Sequence, residues 1–99
     1  MSFFCNANGM TAEERARYDA LMLSLDIKNR PRHELADGIA FELPPESAVI
    51  VKAAEWMCLE RKCCPFFSFS LELDRTVRLS LHGEEGIKEF IGAEFSLEE

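Results

Sequence analysis

The chain has 99 residues and carries 18 acidic against 11 basic side chains, a formal net charge of −7. That length supports one domain able to bury roughly two thirds of the surface its unfolded chain exposes, and 47% apolar with 29% charged residues is a globular rather than a disordered composition. The acidic mean field repels a phosphate backbone, so no nucleic-acid partner is expected, and no apolar run approaches the roughly eighteen residues needed to cross a bilayer.

The opening MSFFCNANGM has neither a basic leader nor a long apolar stretch. Residues 1–10 are therefore expected as a flexible N-terminus ahead of a single domain over 11–99, in the cytoplasm. In that reducing compartment the four cysteines are expected as thiols, metal ligands or small buried side chains rather than as disulfides.

TAEE at 11 to 14 has the form of a capping box and starts a helix. Tyr18, Leu21, Met22 and Leu25 give it an apolar stripe, and it should stop near Asp26, before Pro31. Lys28, Arg30 and Arg32 follow it, where cations offset the negative end of the helix dipole. RHELADGIAFELPP then reads as a hairpin, with a turn signal at Asp37-Gly38 and an alternating Ile39, Phe41, Leu43. A two-residue turn there sets Leu35 against Ala40. Matching Leu35 with Phe41 on one face needs an odd loop, and the odd loop is expected.

Pro44-Pro45 ends that strand, and Glu46 and Ser47 offer a charge and a cap to a central helix from about Ala48 to Lys62. Its stripe is Val49, Ala53, Trp56, Met57 and Glu60. Pro65 stops the helix and pushes Cys64 out of helical conformation. In FFSFSLELDRTVRLSLHG, Phe67, Phe69, Leu71 and Leu73 face the same way as Val77, Leu79 and Leu81. A three-residue loop at Asp74-Arg75-Thr76 places Leu73 against Val77 and Phe69 against Leu81. Ile87, Phe90, Ile91 and Phe95 form a short last helix. The expected fold is a two-layer α+β domain in the order α-ββ-α-ββ-α, with three helices packed on one face of a four-stranded antiparallel sheet. Phe66 points away from the main apolar side, and with His82 it is expected to mark a homodimer contact.

The chemistry concentrates in LERKCCPFFSF, residues 59 to 69. Adjacent α-carbons of Cys63 and Cys64 lie about 3.8 Å apart, below the roughly 4.4 Å of ordinary disulfides, so a bridge between them is strained. A Cys58–Cys63 bridge needs an unwound helix end. Metal binding is more permissive, because thiolates select soft ions and two sulfurs share one ion over a wider gap. Cys58, Cys63 and Cys64 are candidate ligands, with His82 as a further donor and a thiophilic ion such as zinc as the expected cofactor. The spacing C-x4-C-C matches no zinc-finger pattern. The plainer reading makes Cys58 a small hydrophobe on the helix's buried side, one of the adjacent pair a core residue, Cys5 incidental, and Glu60-Arg61 a salt-bridged helix end.

Glu60-Arg61-Lys62-Cys63-Cys64-Pro65-Phe66, with Phe69-Ser70-Leu71-Glu72 and the run from His82 to Phe90, resembles a group of small bacterial proteins that share a Glu-Arg-x-Cys-Cys-Pro-Phe motif. The similarity spans about Thr11 to Phe95. It implies that the Cys-Cys-Pro stretch is the distinctive feature, and it implies no catalytic role. Three readings stand open: a cytosolic thiol-bearing domain binding a soft metal or metalloid ion through Cys63 and Cys64, with Cys58; a thiol redox or transfer enzyme using Cys63 or Cys64 as nucleophile; and a non-enzymatic interaction domain whose cysteines only pack.

Overall fold

The structure, a computed structural model, describes residues 8–95 and residue 97. Cys5 and the rest of the expected flexible stretch up to residue 7 lie outside the described residues. Helix α1 (Ala12–Leu25) begins with the reciprocal capping box, Glu14 N donating to Thr11 Oγ1 at 3.1 Å and Thr11 N to Glu14 Oε1 at 3.0 Å. It ends on Asp26 in the left-handed region, and one 3-10 turn follows, Ile27–Asn29. Of the basic patch, Arg30 finishes this helix, donating to the Leu25 carbonyl at 2.9 Å, one of the acceptors a helix end leaves unpaired.

Strands β1 (Arg32–Leu35) and β2 (Gly38–Leu43), helix α2 (Ser47–Cys63), strands β3 (Ser68–Leu73) and β4 (Val77–His82) and helix α3 (Ile87–Glu94) complete the expected α+β order. All strand pairs are antiparallel, in the order β1-β2-β4-β3. Ile39, Phe41 and Leu43 of β2 and Val77, Leu79 and Leu81 of β4 share one face and join helical side chains in the core. Among the described residues no helix is long and apolar enough to cross a membrane.

The second hairpin has the expected register, Leu73 opposite Val77 and Phe69 opposite Leu81. The first does not. Its loop has two residues, Ala36 and Asp37, with Leu35 opposite Gly38 and Phe41 opposite Arg32, so the odd loop is corrected. The expectation assumed that Leu35 must share the core face. Strand β1 is a largely exposed edge, however, so no hydrophobic gain selects that register. Arg32 and Glu34 take the core side instead and tie the edge to the C-terminal region, Arg32 donating to the Leu97 carbonyl at 3.1 Å and Lys88 pairing Glu34 at 3.2 Å. The Gly half of the turn signal serves a different purpose. A Cβ on Gly38 would stand 2.0 Å from the Leu81 carbonyl oxygen, so close approach of β2 to β4 demands glycine.

Helix α2 starts on Glu46 without a side-chain cap bond, and Ser47 is already its first helical residue, which corrects the expected cap. Its Trp56 is fully buried, donates to Met22 Sδ at 2.9 Å and meets Phe69 edge to face. Phe66 is also corrected. The turn after Pro65 folds it back against Phe67 and Phe90, each with ring centroids 5.0 Å away, so it packs half-buried against the core rather than pointing away from the apolar side.

Candidate functional site

Pro65 cannot continue α2, and the helix closes on Cys64, whose amide donates to the Glu60 carbonyl at 2.7 Å. Glu60, Cys63 and Cys64 stand at i, i+3 and i+4 and therefore share one helix face. That face is turned inward: Cys63 is 4% exposed, and Cys64 and Glu60 have no exposed surface.

Helix α1 covers the same place with Arg15 and Tyr18, again three residues apart. Tyr18 stacks on Trp56 at 6.4 Å, and the Arg15 guanidinium lies 5.5 Å from the Tyr18 ring centre. An open cleft of about 460 Å³, lined by residues that include Arg15, Tyr18, Cys63 and Glu94, leads from solvent to this cluster.

Glu60 is the unusual member. Neither carboxyl oxygen has a hydrogen-bond partner of good geometry among the described residues. Burial pushes its carboxyl above the usual value, with Glu94 adding to the rise, while Tyr18, Cys64 and Arg15 pull the other way. Tyr18 responds in kind. Burial first, then the negative charge of Glu60 and the contact of the hydroxyl with that carboxyl, and then the two cysteines hold its phenol well above the ordinary value, so it remains protonated. Both thiols are thus within electrostatic reach of one hydroxyl beside one carboxyl.

The other proposed donors stand elsewhere. Cys58 is exposed and lines a separate apolar groove with Met57, Arg61, Phe67 and Phe69, so it is neither on the buried side nor with the pair. The helix explains this, because five residues rotate by about 140° and carry Cys58 away from Cys63. His82 lies on the opposite face of the sheet, bonded to Ser70 at 3.0 Å. Among the described residues no three His, Cys, Asp or Glu side chains converge as a metal site, so a Cys58, Cys63 and Cys64 centre is not assembled, with or without His82.

Glu60 and Arg61 do not form the expected salt-bridged end, since one is buried and the other exposed. Sequence reading missed Glu60 and Tyr18 as site residues. The signal for Glu60 was present: it sits four residues after Trp56, in the buried register, where a carboxylate is out of place. No family model, curated protein or solved structure matches this chain.

Proposed function

We propose that the chain is a thiol-bearing domain that takes up a thiophilic metal or metalloid ion through Cys63 and Cys64, in a reducing compartment such as the cytoplasm. The observation that carries this reading is Glu60, fully buried on the helix face that holds both thiols, with neither carboxyl oxygen in a hydrogen bond of good geometry among the described residues. A polar group so placed costs stability, and such costs persist where a site needs them. Thiols ligate as thiolates, so uptake by two of them releases two protons. Burial has already strengthened the hold of Glu60 on a proton, which makes its carboxylate form a base beside Cys64. Two thiolates and one divalent soft ion sum to zero charge, the sum a low-dielectric interior favours. The donor set suits ions content with few sulfur ligands. A closed zinc site needs four ligands, so zinc would require donors from outside the chain.

A second reading, that the cysteines only pack, draws support from the near-complete burial of both. Nucleophilic catalysis by the pair draws less, because His33 is bonded to Glu42 and His82 to Ser70, so neither histidine is paired with a thiol. The deciding experiment is anaerobic titration of a Cys5→Ser, Cys58→Ser chain with cadmium or phenylarsine oxide. Thiolate-to-metal absorption and released protons are followed for cadmium, and protection of thiols for the arsenical. The proposal expects one equivalent bound, two thiols protected and binding weakened about tenfold or more by Glu60→Gln. Absence of binding at stoichiometric concentration with the fold intact leaves the packing reading in its place.

A further inference from the structure

The open face of the sheet carries a second constellation, independent of the thiols. Ala40, Ser80 and Ser70 stand in one row across β2, β4 and β3, and these small residues make a low floor. Longer side chains frame it, and the resulting concavity of about 440 Å³ is bounded by Leu35, Asp37, Glu72, Arg78 and His82. Within it Ser70 Oγ lies 3.0 Å from His82 Nε2, and His82 Nδ1 lies 3.5 Å from Asp37 Oδ2. Gly38 sits opposite His82, and a Cβ there would stand 2.6 Å from the histidine Cβ. The bare glycine thus leaves the imidazole its place between serine and aspartate. Arg78 Nε, at the other end, is buried and has no hydrogen-bond partner among the described residues.

We propose that Ser70, His82 and Asp37 form a serine-nucleophile site for small esters, with Arg78 holding a carbonyl or carboxylate oxygen of the substrate. The serine, base and orienting carboxylate stand in the order that acyl transfer requires, and such sites are recognised by geometry rather than by position in the sequence. His82 takes the Ser70 proton at Nε2 as Oγ bonds the ester carbon. The bond to the alcohol oxygen breaks, and the alcohol leaves with that proton. Water then attacks the acyl carbon and gives a proton to His82, the bond to Ser70 Oγ breaks, and Oγ recovers the proton, so ester and water become acid and alcohol. Asp37 is a positioning residue that favours the tautomer with hydrogen on Nδ1. The 3.5 Å gap closes when substrate excludes water, since catalytic contacts are commonly long before substrate binds.

The test uses the full chain with a fluorophosphonate probe and p-nitrophenyl acetate. One adduct on Ser70 is expected, absent in Ser70→Ala and formed about a hundredfold more slowly in His82→Gln. Ser68→Ala, on the same strand and face, should label like the parent. For Asp37→Asn, ester turnover should fall about tenfold or more in kcat with KM unchanged, a split that mere loosening of the loop would not produce. Unaltered thermal unfolding of each variant secures the comparison. No adduct on Ser70, or ester turnover indifferent to Ser70→Ala, overturns the proposal.

Discussion

Glu60→Met removes a buried carboxyl at nearly constant side-chain volume, and the pH dependence of its effect tests the account of the site. The carboxyl has no exposed surface, and neither oxygen has a hydrogen bond of good geometry among the described residues. Leaving a polar group in that condition costs about 1–3 kcal/mol by mutational measures, and methionine restores apolar contact in the same space. Glu60→Met should therefore stabilise the protein by about 1–3 kcal/mol near neutral pH, or roughly 4–8 °C in Tm per kcal/mol for a chain of this size. The sign with pH follows from linkage. Burial raises the folded carboxyl above its unfolded value, so above about pH 4.5 the folded state holds a proton the unfolded chain has lost. Parent stability falls as pH rises through that window, until the folded carboxyl also ionises. The gain in Glu60→Met should thus grow as pH rises above about 4.5, until the folded carboxyl also ionises. Urea unfolding followed by the fluorescence of Trp56, the sole tryptophan, reads the difference directly. A variant less stable than the parent, or a gain that is flat with pH, would refute the reasoning and show that the carboxyl is well partnered in solution.

Gly38→Ala should lose about 3 kcal/mol or more in urea unfolding, because the new Cβ meets backbone and not a flexible side chain; an unchanged midpoint would mean that β2 and β4 are further apart. Thr11→Ala removes one half of the capping box and should cost about 1 kcal/mol, with a shift below a few tenths counting against the cap. Iodoacetamide on the native, ion-free chain should modify Cys58 well ahead of Cys63 and Cys64, mapped by peptide mass; equal rates would contradict the burial of the pair.

The second hairpin and the three helices were legible because their instructions are local. TAEE caps a helix by itself, Pro65 ends one by itself, and two apolar rows of equal parity around a three-residue loop leave β3 and β4 one register that buries both. The first hairpin lacked that constraint. Strand β1 buries almost nothing, so its sequence sets no register, and the turn was decided by where β2 had to pass β4, at Gly38.

The same division runs through the functional residues. Cys63, Cys64 and Pro65 mark themselves in the sequence, and a helical wheel alone separates Cys58 from the pair. That Glu60 lacks a well-formed hydrogen bond among the described residues depends on what α1 lays over it, and that His82 meets both Ser70 and Asp37 depends on β3, β4 and the loop entering β2 being brought side by side. Composition and period determined which faces of the elements are apolar, since that preference belongs to each residue and its immediate neighbours. Which polar groups meet, and which are left alone, only the packed sheet and helices decided, because hydrogen bonds and buried charge depend on atoms distant in the chain.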